Sequence, residues 1–514
     1  MPNQILTVSP TGRINRRDKP DEIGDDEVLS RENFIVIGTK NKKNKKIPGS
    51  DRLNATSAGT PPFVWAQRYY TGGAFRKSFA YNQNGTLYHI ADNGTLTSLI
   101  TTFSPLAYPS SAIMKVSGND ILYFAEGIAN SIYSYDGNAG NTFTREGSVT
   151  LTPVIMISHL DRLWVVEEDS DSVNFSVNLN PVNFTDSTDA GTISIGAKRG
   201  SKIQALAILN ETLYIFKSDS IWALLGKTPS EFTVVEVHPF RGIAARRSMQ
   251  NVESAIIFLG DDYEFYSFGG TIESTKLLTY DLAIAGDLTK DLNQIINKDR
   301  MAQVASTYHN FLYRCAFTET GETQNNLEYI FVTTNETDTI TRGNNVSCYM
   351  KWDRNPDKNE LITGRSDIGR LMHQYRGLNW DNQATSPTMP IRIQTKFIGG
   401  GIQNQRFKRA WVNSEVLGAE PIRIRYYLDT RNAVSDSVND EWVIQGETKS
   451  MTNNIRINSQ LAVTSRVNLR HNAAKGQSIS FEINQDRADV DFSFSSIDLE
   501  VVTKNIKRNQ RVGI

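Results

Sequence analysis

The sequence predicts an all-β protein: a β-propeller of six to eight blades, preceded by an N-terminal arm and followed by a C-terminal β-sandwich. Three observations predict it. A strand-forming motif recurs along the middle of the chain, helical periodicity is nearly absent, and past residue 385 the repeat gives way to alternating strands of another pattern. The matching division is an arm with a first strand over residues 1–55, a propeller over 56–385 and a sandwich over 386–514. A chain of 514 residues is ample for two or three domains with sizeable cores.

The motif is two or three mostly polar residues, then an aliphatic, then usually an aromatic. It reads NGTLYHI from Asn84, NDILYFA from Asn119, LDRLWVV from Leu160, NETLYIF from Asn210, ESAIIFL from Glu253 and HNFLYRC from His309. Its aliphatics Leu87, Leu122, Leu163, Leu213, Ile256 and Leu312 are spaced 35, 41, 50, 43 and 56 residues apart. A turn and a second β-rich run follow, as in SIYSYDG, SIWALLG and YEFYSFGG. β-Branched and aromatic residues between Gly, Asn and Asp turns form antiparallel hairpins. One hairpin cannot bury its faces in water. Repeats of about forty residues set in a ring cover one another's faces and remove most free edges. Six copies are clear, and GRLMHQY at 369–375 reads as a seventh.

The flanking segments differ. GDDEVLSREN (24–33) reads as a turn or two of helix with Asp25 as N-cap, and NFIVI (33–37) as a strand. Lys40, Lys42, Lys43, Lys45 and Lys46 then place five positive charges in seven residues. Such a cluster suits phosphate contact, although a solvated loop tip is the commoner use of a charge run. Within the repeat, DLTKDLNQIINKD (287–299) sets Leu288, Leu292, Ile295 and Ile296 on one helical face and reads as an insertion docked between blades. Beyond residue 389, IRIRYYL and SISFEI alternate as sandwich strands do, and the tail KNIKRNQRVGI is basic and expected to be loose.

Composition excludes several classes. With 55 Lys+Arg against 56 Asp+Glu, the net charge of −1 is not that of a bulk basic surface for nucleic acid. Two cysteines, Cys315 and Cys348, exclude a disulfide scaffold and read as buried thiols on strands. No apolar run is long enough to span a membrane, and the first residues lack a signal-peptide core; a soluble protein folding in a reducing compartment is expected. The six histidines, His89, His159, His238, His309, His373 and His471, form no local metal motif. The acidic stretches 167–172 and 260–262 lack the spacing of a calcium loop and read as solvated turns. Phosphate-loop, nucleophile-elbow and sialidase-box patterns are absent. No cofactor and no catalytic activity are expected.

Three segments together resemble a known family. GRINRRDKPDEIGDDEVLSRENFIV followed by KKNKKIPG is similar to the opening of bacteriophage tail nozzle (tail tubular protein B-like) and tail-hub proteins. Gly12, Asn15, Arg17, Asp18, Pro20, Asp25 to Glu27, Asn33, Lys46, Pro48 and Gly49 occupy the comparable places. The junction GRLMHQYRGLNWDNQATSPTMPIRIQTKF resembles the family's last blade and exit, through Tyr375, Gly377, Asp381, Pro390, Ile391 and Thr395. RFKRAWVNSEVLG with IRIRYYLD looks like the family's lead into a terminal sandwich. The sequence departs from the family in TGRIN, where a double glycine is usual, and in a Lys-Ile-Pro-Gly basic turn.

The resemblance implies a structural virion protein assembled in the host cytoplasm. Such a subunit joins copies of itself in a ring, usually a hexamer, below the portal and adaptor. It meets distal tail or fibre proteins and makes transient, non-specific contact with the genomic DNA leaving through the ring. The alternatives are a receptor- or glycan-binding tail protein or depolymerase, with Trp65, Tyr69 and Tyr70 stacking on sugars, and a head-completion or stabilisation protein. Core packing is the favoured role for those three aromatics.

Overall fold

In the computed structural model the recurring motif is a propeller blade. The structure describes residues 4–15, 23–71, 75–128, 132–138, 140–196, 200–273, 276–278, 281–283, 293–353, 359–376, 380, 389–398, 405–417, 422–428, 438–444, 462–468, 475–476, 478–485 and 491–503. Seven blades surround one axis: six four-stranded antiparallel sheets and the first four strands of a nine-stranded sheet. Blade 1 spans residues 63–100, blade 2 110–146, blade 3 153–194, blade 4 203–238, blade 5 250–283 and blade 6 305–342. Blade 7 takes three strands from 346–374 and its outermost strand, Ser50–Arg52, from the other end of the chain. From blade 2 round to blade 7 and back to blade 1, the first strands of successive blades abut one another, so they are the innermost.

Local chemistry explains the repeat. Between the first and second strands of blades 2, 3, 4 and 6 lie two-residue turns: Ser117 and Gly118, Leu160 and Asp161, Asn210 and Glu211, Asn310 and Phe311. Every one of these residues has positive φ, the sign pattern of a type I′ hairpin turn, whose twist matches that of the flanking strands. The motif's leading residues make or flank this turn, and its aliphatic lies in the second strand. Leu122, Leu163, Leu213 and Ile256 are fully buried there, and Leu312 nearly so. Two copies depart from the scheme. Leu87 and the 369–375 copy lie in third strands, Thr86–Ile90 and Leu371–Gln374. Any hairpin entering a buried strand produces the same pattern, so the motif marks hairpins and not one fixed strand.

The ring is closed by strand exchange. Ser50–Arg52 pairs antiparallel with Leu371–Gln374, and the Leu53 amide donates to the Leu371 carbonyl at 2.9 Å. The Leu371 amide in turn donates to Asn54 Oδ1 at 2.7 Å. Blade 7 meets blade 1 through Ser347 Oγ, which donates to the Phe63 carbonyl at 2.5 Å, and through the Arg68 guanidinium, 4.5 Å from the Trp352 ring centroid.

The sandwich is built from both ends of the chain. One sheet runs Phe34–Ile37, Lys43–Lys46, Asp491–Thr503, Gln405–Leu417, Ala462–Asn468, with Gln4–Val8 also on Asp491–Thr503. The other continues from blade 6: its outer strand Thr337–Arg342 pairs in parallel with Val28–Glu32, followed by Ile391–Thr395, Ile479–Gln485, Ile422–Leu428 and Val438–Ile444. Along Asp491–Thr503 the buried apolar residues are Phe492 and Phe494, then Ile497, Leu499 and Val501. The alternation slips by one at a bulge opposite Asn413 and Ser414, as an extra residue in one strand requires. A single apolar core runs from Leu259 and Phe265 of blade 5, through Tyr313 and Tyr329 of blade 6, to Ile393, Phe407 and Phe481 of the sandwich.

At the joint between the two parts lies a buried polar network. Arg31, fully enclosed, donates from Nε to Asn44 Oδ1 (3.0 Å), from Nη1 to the Asp338 carbonyl (3.0 Å), and from Nη2 to the carbonyls of Pro10 (3.2 Å) and Gly12 (2.8 Å). Asn33, at φ +57°, donates its amide to the Ile340 carbonyl (3.0 Å) and Nδ2 to the Pro390 carbonyl (2.5 Å), while its own carbonyl accepts from the Ile47 amide (3.0 Å). Gly12 is demanded by close approach, since a Cβ there would stand 2.8 Å from Asp26 Cγ. Burial pulls the Arg31 guanidinium down to about 10, which leaves it charged at neutral pH. Burial pushes the Asp338 carboxyl up to about 6, against the Ile14 amide, which donates to its Oδ1 at 3.0 Å, and against Arg31.

Several local expectations are corrected by long-range pairing. The first 55 residues carry five strands, where a single first strand was expected, because four of the five have partners some 300 or more residues away and Phe34–Ile37 is held through one of these, Lys43–Lys46. Residues 28–32 are strand, not helix: they are hydrogen-bonded to Ile391–Thr395 on one side and to Thr337–Arg342 on the other, and this outweighs local propensity. Asp25 caps no helix and pairs with Lys396. Of the expected insertion helix, 287–292 lies outside the described residues; 293–295 are helical, Ile296 forms a bridge to Glu319, and a 3-10 helix spans Lys298–Gln303. The tail 504–514 also lies outside the described residues.

Two outcomes are expected from this fold. Glu211 is exposed and held at φ +62°. Glu211→Gly relieves that strain and raises stability by about 0.5–1 kcal/mol, whereas Glu211→Val lowers it by at least about 1 kcal/mol, read from melting curves. For Asp338, the folded carboxyl binds its proton more tightly than the unfolded one, whose ordinary value is 3.8. Its contribution is therefore fully present below that value and is lost as pH rises through about 6. Melting temperatures of wild type and Asp338→Asn, compared from about pH 4 to about pH 7, should show wild type losing up to about 3 kcal/mol relative to the variant.

Candidate functional site at the propeller axis

Blade 5 begins differently from its neighbours. The first strands of blades 2, 3 and 4 have seven residues each, but that of blade 5, Gln250–Val252, has three. Where the rest of that strand would run, the chain makes a 3-10 turn, Arg246–Ser248. Ser248 fixes it: its Oγ donates to the Ala245 carbonyl (2.7 Å) and accepts from the Leu259 amide (3.0 Å), while its carbonyl accepts from Tyr313 OH (2.6 Å). The turn delivers Arg247 to the axis.

Arg247 ties several blades together. Its Nη2 donates to the carbonyls of Val64 in blade 1 (2.6 Å) and Ser347 in blade 7 (3.0 Å), and its own carbonyl accepts from Ser306 Oγ of blade 6 (2.7 Å). The guanidinium lies 5.4 Å from the Tyr108 ring centroid. A cavity of about 460 Å³ on one side of it is bounded by the first strands of blades 2, 3 and 4 and by Met301 of the 3-10 helix before blade 6. A smaller one of about 200 Å³ is bounded by Trp65, Gln250, Ser306 and Cys348 of blades 1, 5, 6 and 7. Arg247 and Met249 border both. A third cavity of about 440 Å³ shares Leu106, Tyr108 and Ala302 with the first.

The two guanidiniums at this centre are paired unequally. Arg246 pairs with Glu168 at 3.2 Å. Arg247 has no carboxylate partner among the described residues, and its Nη1, like Arg246 Nε, is enclosed without a hydrogen-bond acceptor. Burial pulls the Arg247 guanidinium below its ordinary value, with Arg246 adding to the effect and Tyr108 and Cys348 opposing it. Glu126 lines the same cavity and accepts from the Ser104 amide at 2.5 Å. Nothing in the sequence distinguished Arg247 from other basic residues; the one local signal is RGIAARRS, an Arg-rich stretch where a strand is due.

The sequence-predicted residues lie elsewhere. Lys43–Lys46 is a strand of the sandwich, paired with Phe34–Ile37 and Asp491–Thr503, not a loop tip. Strand alternation divides the five lysines: Lys46 is buried, Lys42, Lys43 and Lys45 are half-buried, and Lys40 is exposed beyond the strand. Lys45 reaches Asp491 at 4.0 Å. Trp65 and Tyr69 are buried, packed edge-on against Phe124 and Tyr135 at 4.9 and 5.0 Å, and form no sugar platform; Tyr70 is half-buried. Cys315 and Cys348 are buried free thiols on strands. The acidic pair Asp261 and Asp262 holds Arg241 at 3.2 and 2.6 Å. Among the described residues, no group of three or more His, Cys, Asp or Glu is placed to hold a metal ion. No described helix is long and apolar enough to cross a membrane.

Comparison with solved structures finds other propellers. The chain is similar to a streptogramin B lyase (13% identity, TM-score 0.41, covering 63% of this chain and 96% of that one). It is also similar to the propeller domain of Cps50 (Swd1) from Myceliophteria thermophila (10%, 0.41, 64% and 98%) and to YCF48 from Cyanidioschyzon merolae (10%, 0.41, 63% and 98%). No protein-family model and no curated protein sequence matches the chain. The protein is an all-β propeller; these likenesses extend to the fold alone.

Proposed function

We propose that the chain is a structural subunit of a bacteriophage virion, one protomer of a tail nozzle or hub ring below the portal and adaptor. It acts by assembly and not by turnover. The observation that carries this reading is where the N-terminal family-like residues lie. Gly12, Asn15 and Asn33 sit in the joint, where the Asn15 side chain donates to Glu27 at 2.9 Å and Asn33 ties arm, blade 6 and sandwich. Gly49 accepts from the Arg376 amide at 3.0 Å beside the closing strand. A motif used to lock two β-domains into one body suits a wall component, whose work is to keep its shape under load.

Further support comes from the axis, which Arg247 spans, so DNA would pass between subunits and not through a propeller. Copies of this chain, the adaptor, and distal tail or fibre proteins are the partners in this reading. The test is multi-angle light scattering of the purified chain, alone and mixed with the phage's adaptor. A discrete ring of several copies, six by family resemblance, is expected. A monomer under both conditions would overturn the proposal.

A further inference from the structure

The cavity of about 440 Å³ differs in chemistry from the one beside it. The 3-10 helix Lys298–Gln303 forms one wall, with Asp299, Arg300 and Gln303. The loop between the second and third strands of blade 6 supplies Thr323 and Gln324, and the connector from blade 1 to blade 2 supplies Leu106 and Tyr108. Asp299, Thr323 and Gln324 are exposed, and Arg300 and Gln303 half-buried. Among the described residues, the side chains of Asp299, Arg300, Thr323 and Gln324 have no hydrogen-bond or ion-pair partner. Gln303 accepts from Thr318 through Oε1 at 3.2 Å, which leaves Nε2 uncommitted. None of these free groups is sealed from solvent. Burial pushes the Tyr108 hydroxyl above its ordinary value, and Arg300 is among the groups that oppose the shift, so the Arg300 charge is felt at the connector's wall.

We propose that this cavity binds a neutral saccharide. Its free groups are donors and acceptors in similar supply: Arg300, Gln303 Nε2 and the Gln324 amide donate, while Asp299, Thr323 Oγ1 and Gln324 Oε1 accept. The ligand must then offer both kinds on one small body. Sugar hydroxyls do so, since each donates once and accepts twice. A phosphate or carboxylate only accepts, and one cation beside one carboxylate gives the site no net charge to hold an anion. An apolar ligand would strip water from these groups and return no bond. A peptide strand is held mainly through main-chain bonds, whereas the free groups here are side chains. Leu106, 71% exposed, and the exposed Ala302 line the same space and give a sugar ring's C–H face something to rest on. The volume is in the range of small-ligand pockets. Trp65, Tyr69 and Tyr70 take no part in this site, which stands independently of whether the chain forms a ring.

Saturation-transfer NMR titrations on the full chain test this with maltose, cellobiose, lactose, diacetylchitobiose and the acidic sugar 3′-sialyllactose. At least one neutral disaccharide should bind, and sialyllactose should bind no better than lactose. Asp299→Ala should weaken binding about tenfold, as loss of a charged hydrogen bond requires, and Gln324→Ala about two- to tenfold. Ala302→Trp fills the space from its exposed rim and should abolish binding. Asp299 and Gln324 are themselves exposed, so a misfolded Ala302→Trp leaves the test intact. No binding of any of the four neutral sugars, a preference for sialyllactose over lactose, or binding unchanged in the three folded variants would each overturn the proposal.

Discussion

Ser50–Arg52 hydrogen-bonded to Leu371–Gln374 is the contact on which the propeller depends, and it joins residues more than 300 apart in the chain. Without it blade 7 has three strands and an open edge, and edges of that kind pair indiscriminately. The same N-terminal segment supplies three strands to one sheet of the sandwich and one to the other. Neither part of the molecule is therefore complete without residues 4–52. Long-range pairing of this sort incurs its loop-closure entropy before any contact compensates for it, so the ring is expected to close late in folding.

The joint makes a second demand. Parallel pairing of Val28–Glu32 with the outer strand of blade 6 extends a propeller sheet directly into the sandwich, and one apolar core fills both. Into this interior the fold places Arg31, whose charge is offset by four acceptors, two of them backbone carbonyls of the arm. Losing one partner of such a network leaves a buried polar group unsatisfied, which costs more than the bond itself contributes. A similar arrangement locks blades 6 and 7, where Arg314 and Glu328 pair at 2.6 Å and Tyr349 OH donates to the same carboxylate at 2.6 Å. Polar networks at these seams fix one geometry, where apolar packing alone would tolerate several.

What the sequence made legible follows the range of the interaction. The hairpins could be read because their turns are local: Asn210 and Glu211, or Asn310 and Phe311, lie immediately before the buried strands they introduce. The alternating runs 422–428 and 478–483 likewise announce strands. The arm could not be read, because strands such as Lys43–Lys46 carry no β-propensity and exist through their partners. For the same reason the acidic stretch before residue 33 looks helical in isolation. The axial site was hidden too. Arg247 matters because a shortened strand in blade 5 aims it across the ring to Val64 and Ser347, and no spacing in the sequence encodes that distance.

Whether the first segment of the chain holds both domains together is decided by thermal unfolding and size-exclusion chromatography of the chain lacking residues 1–55. Aggregation, with no cooperative melting transition from either domain, is expected. A soluble, monodisperse protein that melts cooperatively near the temperature of the full chain would contradict it.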